Sequence, residues 1–303
     1  MKSILFIFLD GVGIGDPTPS NPFNNLQLSG FNWLSAGQDW VNSSFQEIST
    51  TTHIFRGIDA TLGVEGLPQS GTGQATLFSG VNCSKLAGKH YGPFPHSTSR
   101  PVLAASNMFI QVGGSDRVNG PAFLNAYPER FFEAAKKRDR WSATTRCCLD
   151  AGIKIRTIDD LNAGQAVAAD IQGLGLSKVA RTPVAEISTT EAARRMVSMS
   201  ERHNLLLFEY FLTDKAGHAQ DALMAKSYLE SVDSLLLELS KQLDPEHTTL
   251  ILTSDHGNIE DLSVRTHTFN PVPFAAKGAL AHHFAGVRDL IGVTPGIVSA
   301  LAL

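Results

Sequence analysis

Three stretches of this chain are apolar almost throughout, and each runs into an aspartate. Residues 4–9 read Ile-Leu-Phe-Ile-Phe-Leu and meet Asp10. Residues 205–212 read Leu-Leu-Leu-Phe-Glu-Tyr-Phe-Leu and meet Thr213 and Asp214. Residues 248–252 read Thr-Thr-Leu-Ile-Leu and lead to Ser254, Asp255 and His256. A strand with one wet face would alternate polar and apolar residues. Runs without alternation suit parallel strands buried on both faces, which requires helices on either side of the sheet. The constraint is therefore an α/β fold. In open α/β sheets the site lies beyond the carboxyl ends of the strands, so three acids at three such ends would share one crevice. Singly, Asp255 and His256 could cap a helix and fill a loop, or they could be two ligands of one metal.

Helical patterns separate the runs. Residues 221–243 place Leu229, Val232, Leu236 and Leu239 on one stripe, with Glu230, Asp233 and Lys241 off it. Ser188-Thr189-Thr190-Glu191 reads as a capping box opening a helix toward Asn204. Residues 295–303 read as a last short helix. Between these outer parts the composition shifts. Residues from about 85 to 187 are richer in Arg and Lys, carry the stretch Gly92-Pro93-Phe94-Pro95, and show helical patterns near 128–140 and 158–172. The expected organisation is a core from 1–85 and 188–303 with an inserted cap at 86–187, since an unstructured loop of that length would be unusual.

Composition narrows the partners. An apolar fraction of 43% with 18% charged residues supplies a large core. A net charge of −4 without a long basic run argues against nucleic acid or an anionic membrane as partner. No apolar run approaches the ~20 residues of a membrane span. The apolar N-terminus is followed at once by Asp10 and Asp16 without a cleavage-site pattern, so it reads as a strand rather than a signal peptide. The three cysteines, Cys83, Cys147 and Cys148, form no disulfide framework, which makes a reducing cytoplasm the expected compartment. The oligomeric state is not legible.

The chemistry concentrates in a few places. Asp214 and His218 lie four apart, His256 adjoins Asp255, and His267 lies downstream. Mixed Asp and His sets suit Mn2+, Zn2+ or Fe2+, whereas bare carboxylates lean to Mg2+. In Gln69-Ser70-Gly71-Thr72-Gly73-Gln74, hydroxyls sit in a glycine-bracketed turn ahead of a helix start. Helix N-termini bind anions, so Ser70 could face a phosphate, or the turn could be an ordinary helix cap.

Taken together, these motifs resemble the alkaline phosphatase superfamily, in the branch of cofactor-independent phosphoglycerate mutase and phosphopentomutase. The resemblance rests on Phe8-Leu9-Asp10-Gly11-Val12-Gly13, Gln69-Ser70-Gly71-Thr72-Gly73-Gln74, Asp214-x-x-x-His218, Ser254-Asp255-His256-Gly257-Asn258 and His267-Thr-x-Asn-Pro-Val-Pro-Phe, in the family's order. It implies a three-layer sandwich with a mostly parallel sheet and a smaller α/β cap. It implies two divalent metal ions, Mn2+ or Zn2+ with Mg2+ as a third option. One ion would be held by Asp214, His218 and His267, the other by Asp10, Ser70, Asp255 and His256. The implied activity is phosphoryl transfer from a small phosphorylated metabolite through a phosphoserine on Ser70. Phosphatase is the first reading, phosphomutase the alternative, and a catalytically inactive metal-binding protein the third. Thr72 is the competing hydroxyl; it falls where the mutases vary and is expected to cap the helix. Arg117, Lys215 and Arg265 are candidate phosphate partners or ordinary surface cations, with His90 and His96 weaker. The chain departs from the two mutases at Gln74, where they carry His, and offers only Ser115-Asp116-Arg117 as an analogue of a paired-arginine substrate motif. The Cys-x-Pro-x-Arg type signature of sulfatases is absent.

Overall fold

The computed structural model describes residues 2–114 and 119–302. Ten strands lie in it, β1 (Ser3–Leu9), β2 (Ile48–Ser49), β3 (His53–Ile58), β4 (Ala122–Phe123), β5 (Asn125–Tyr127), β6 (Arg156–Thr157), β7 (Val167–Ala168), β8 (Leu205–Tyr210), β9 (Thr248–Thr253) and β10 (Val272–Lys277). Seven form one sheet in the order β2-β3-β10-β9-β1-β8-β4. The three apolar runs are β1, β8 and β9, and they are neighbours: β1 pairs in parallel with β8 on one side and β9 on the other. β4 adds a further parallel edge, while β10 runs antiparallel between β9 and β3.

Every residue of β1 is buried, and its side chains divide between two cores. Ile4, Phe6 and Phe8 join the core under the helices Ser70–Ser79, Ser99–Ser106, Ala143–Asp150 and Val293–Leu301. Leu5, Ile7 and Leu9 join the core under Ser29–Leu34, Thr189–Ser200 and Ala222–Gln242. Strands without alternation thus have apolar partners on both faces, and the result is three layers. Helix 222–242 begins where Asp221 accepts from the Leu223 and Met224 N–H groups, and it buries Leu229, Val232, Leu236 and Leu239 as its stripe requires.

Three expectations are corrected. The second run ends as a strand at Tyr210, and Asp214 lies in the first turn of the helix Leu212–Ala219. The pattern at 158–172 gives only the short helix Ile158–Asn162, followed by β7. Ser188 caps its helix by accepting from the Glu191 N–H, but the Glu191 carboxylate pairs with Arg194 and Arg195 rather than returning the bond.

A second, three-stranded parallel sheet, β6-β5-β7, lies within residues 86–187. Its strand β5 is separated from β4 by Leu124 alone. The same segment also supplies β4 to the large sheet and Met108, Phe109, Cys147 and Cys148 to one of its cores. All three cysteines are buried and free. Among the described residues no helix is long and apolar enough to cross a membrane.

Candidate metal centre

The order β9-β1-β8 sets three carboxyl ends side by side. Asp10 follows β1 directly, and Asp255 and His256 follow β9. Asp214 and His218 come one helical turn apart on the helix after β8, which turns both toward the same point. His267 arrives from the loop between β9 and β10. Ser70 is the first residue of the helix Ser70–Ser79, so the helix opens at the hydroxyl itself and not after it.

These side chains form two adjoining groups. In the first, His256 Nε2 lies 3.0 Å from Ser70 Oγ, 3.4 Å from Asp10 Oδ1 and 3.4 Å from Asp255 Oδ2. In the second, Asp214 Oδ2 lies 3.4 Å from His218 Nε2, Asp214 Oδ1 lies 3.6 Å from His267 Nε2, and the two Nε2 atoms are 3.2 Å apart. The His256 ring stacks on His267 with centroids 3.7 Å apart, forming the wall between the groups. His256 also offers a nitrogen near Asp214 and His267, so it belongs geometrically to both groups. All seven residues named from sequence are therefore brought together.

Three observations fit divalent cations. First, His218 Nδ1 is 2.8 Å from the Arg265 carbonyl and His267 Nδ1 is 2.6 Å from the Pro68 carbonyl. A carbonyl only accepts, so both Nδ1 atoms carry hydrogen, and both Nε2 atoms lie on the Asp214 side. A carbonyl fixing the far nitrogen is the usual support of a metal-binding imidazole. Second, Asp10 Oδ1 and Asp255 Oδ2 are buried without a hydrogen-bond partner, a costly state for a carboxylate. Third, the ion pairs of Asp10, Asp214 and Asp255 among the described residues are all to histidines. Burial, with Asp255, Asp214 and Glu209 nearby, holds the Asp10 carboxyl well above the ordinary range. Burial raises Asp255 as well. Burial and His267 push His256 down to about 3, so the ring is neutral. Negative groups packed together without side-chain cations favour a bound cation.

Three further residues, to which the sequence assigned no role, contribute, although Gln74 stood out as a departure from the mutases. Gln74, one turn after Ser70, donates from Nε2 to Asp10 Oδ2 at 3.2 Å. Glu260 is buried and ties the loops of the site together through hydrogen bonds from Gly13 N (2.8 Å), Asn258 N (2.8 Å), Asn270 Nδ2 (3.1 Å) and the Thr268 hydroxyl. Glu209, a lone acid in the run of β8, is buried and accepts from the Tyr127 hydroxyl at 3.4 Å. Burial raises Glu209 to about 7, offset in part by Thr144 and, less, by Tyr127, with Asp255 adding to the rise.

The Glu209 shift has a thermodynamic consequence. Between the ordinary glutamate range and pH 7 the folded protein holds a proton that the unfolded chain has released. Stability must then fall as pH rises through that window. In metal-free protein, Glu209→Gln should flatten the dependence of the urea midpoint on pH between about 5 and 7. An unchanged pH profile in that variant would show that Glu209 is not the group responsible.

The other candidates are less engaged. Thr72 does not cap the helix: the cap position is Gln69, and the Thr72 hydroxyl accepts from Tyr91 N at 3.1 Å. Lys215 is exposed on a cavity of about 1370 Å3 that reaches Asp10, Ser70 and Asp214. Arg265 Nε donates to Gln220, and the residue lines a second cavity of about 530 Å3 together with Ser70, Asp214, His218 and His267. His90 is held between Ser84 and the Val64 carbonyl, and His96 bonds Thr98. Arg117 lies outside the described residues, as do Ser115 and Asp116.

With this fold and donor set the chain belongs to the Metalloenzyme superfamily, which matches residues 2–289. That membership implies binding of divalent metal. Among curated relatives, the 2,3-bisphosphoglycerate-independent phosphoglycerate mutase of Halobacterium salinarum is 33% identical over 108 residues, covering 33% of this chain and 21% of that protein. The enzyme of the same name from Desulforudis audaxviator is 28% identical over 125 residues, covering 39% of this chain and 25% of that one. The matches therefore span a quarter or less of these relatives. Two solved structures are similar over nearly their whole length. Alkaline phosphatase from the Antarctic bacterium TAB5 has a TM-score of 0.52 at 12% identity, covering 99% of this chain and 98% of its own. Leishmania mexicana phosphoglycerate mutase has a TM-score of 0.51 at 12% identity, covering 100% and 95%. At such identities the likeness is one of fold, and the fold is alkaline-phosphatase-like.

Proposed function

We propose that the chain is a binuclear metal-dependent enzyme transferring the phosphoryl group of a small phosphate monoester through a phosphoserine on Ser70. The observation that carries this reading is the Ser70 hydroxyl at a helix N-terminus, 3.0 Å from His256 Nε2. That nitrogen also lies near carboxylate oxygens of Asp10 and Asp255 that have no hydrogen-bond partner. Asp10, Ser70, Asp255 and His256 would hold one ion, and Asp214, His218 and His267 the other. Bound ions would lower the serine pKa and neutralise phosphoryl charge. The chain's own residues supply the rest. Ser70 attacks phosphorus in line, the alcohol departs, and water or a second substrate hydroxyl takes the phosphoryl group from the serine. The Thr72 and Gly73 N–H groups are taken by the Tyr91 and Gln69 carbonyls, so what the start of helix 70–79 offers the anionic ester is mainly its positive dipole end. Gln74 orients Asp10 from the same helix face. Lys215 lines the first cavity and Arg265 the second, which makes them candidate partners of an entering phosphate.

A phosphomutase is the second reading, favoured by the names of the curated relatives. A screen of phosphate release over sugar phosphates, phosphoglycerates and nucleotides, with Mn2+, Zn2+ and Mg2+ varied, tests both. Release without isomer formation supports the hydrolase, and isomer formation with little release supports the mutase. No turnover of any ester would overturn both.

Metal content is a separate expectation. Protein loaded with Mn2+ or Zn2+ and desalted should approach two ions per chain by elemental analysis. Asp255→Asn and His267→Ala should each weaken mainly one ion. A loaded protein that retains none contradicts the assignment.

A further inference from the structure

The cavity lined by Ser70 is larger than a three-carbon phosphate fills, and exposed apolar side chains share its lining with polar ones. At about 1370 Å3 it exceeds the ~300–1,000 Å3 of typical small-molecule sites. Asp10, Ser70 and Asp214 line it together with the apolar side chains Phe131, Leu174, Val179 and Phe211. Leu174, Val179 and Phe211 are 46%, 37% and 39% exposed. Exposed apolar side chains scattered singly need no explanation, but three lining one cavity that Ser70 also lines mark a ligand surface.

The aromatic part of the lining is already rigid. The rings of Tyr127 and Phe131 stack with centroids 4.1 Å apart, and Trp141 meets Phe131 edge-on at 6.0 Å. The Tyr127 hydroxyl is engaged by Glu209, which fixes the ring. Apart from Asp10, Glu209 and Asp214, the charged groups of the lining nearly balance, with Arg130, Lys178 and Lys215 against Asp170 and Glu230. Such a lining does not select a second anionic group. The cavity draws its walls from two parts of the chain, with Leu174 and Val179 following β7 and Phe211 following β8.

Building on the phosphoryl-transfer reading, we propose that the substrate is a phosphate monoester whose alcohol carries a bulky, uncharged apolar or aromatic group. That group seats against Phe131, Leu174, Val179 and Phe211 while the phosphate meets Ser70. Apolar surface leaving water on both partners then contributes to affinity in proportion to its area.

The test uses ethyl, 2-phenylethyl and 2-(2-naphthyl)ethyl phosphate on Mn2+- or Zn2+-loaded enzyme, a series that varies bulk with little change in leaving-group chemistry. We expect kcat/KM to rise at least about tenfold from ethyl to naphthylethyl, mainly through KM. Leu174→Asp and Phe211→Ser, both at exposed positions, should collapse that ratio. A ratio within about twofold, with ethyl phosphate turned over, would overturn the proposal and leave the phosphoryl-transfer reading standing. If none of the three is hydrolysed, the phosphoryl-transfer reading is decided by the substrate screen above, and calorimetry with ethyl- and 2-(2-naphthyl)ethylphosphonate decides the cavity. Tighter binding of the naphthyl compound, lost in Leu174→Asp, sustains the inference, and equal binding of the two ends it.

Discussion

Replacing Ser70 by alanine is expected to lower turnover by several orders of magnitude, the loss seen when a nucleophile is removed. The substitution removes the attacking oxygen and one contact of His256 Nε2 at a stroke. Alanine is small and tolerated in a helix, so folding should be preserved. Thr72→Ala is the control that separates chemistry from structure. The Thr72 hydroxyl joins the helix to the chain at Tyr91, and its loss should cost about 1 kcal/mol of stability while leaving the covalent route intact. Acid quench during turnover, followed by peptide mass spectrometry, should find phosphate on Ser70. Phosphate on Thr72, or full activity in Ser70→Ala, would assign the reaction to the other hydroxyl.

The parts of this site that were legible in the sequence share a physical basis. Runs such as 4–9 declare a strand buried on both faces because nothing polar interrupts them, and an acid after such a run stands out. The adjacency of β9, β1 and β8 was not legible. Pairing is decided between segments some 200 residues apart, and no local pattern encodes it. Residue type also misled locally. Phe211 and Leu212 continue the apolar run, yet the strand ends at Tyr210 and a helix starts, which is what sets Asp214 and His218 one turn apart. Thr72 has the chemistry of a cap, but its partner comes from a loop nineteen residues on. Glu209 carried one signal, a single carboxylate in an otherwise apolar strand. Glu260 carried none, because its donors come from the loop after β1 and from separate stretches of the β9–β10 connection.

For that reason Glu260 gives the second large effect. Both its oxygens accept hydrogen bonds, Oε2 from Gly13 N and Asn258 N, Oε1 from Asn270 Nδ2 and the Thr268 hydroxyl. The backbone has been cleared for it: a Cβ at Gly13 would lie 2.3 Å from Oε1, and one at Gly257 would lie 2.2 Å from the same atom. Gly13 follows Asp10, Asn258 follows Asp255 and His256, and Thr268 follows His267, so one carboxylate sets the spacing of three of the segments that build the site. Glu260→Gln preserves the shape but turns an NH2 group toward two donors. Each buried donor left unpaired costs ~1–3 kcal/mol, and more follows from losing the charge. The melting temperature should drop by roughly 10 °C in a chain of this size. Glu260→Asp should do little better, since a side chain one methylene shorter cannot reach both pairs of donors. Stability alone would not distinguish a positioning residue from any other buried group. Metal retention under chelator competition would, because loosened loops release ions at temperatures where the fold is still intact. A Glu260→Gln protein that melts lower but holds its metal as tightly as the parent would confine Glu260 to stability. One that loses metal well below its melting temperature would make it the residue that holds the two groups in register.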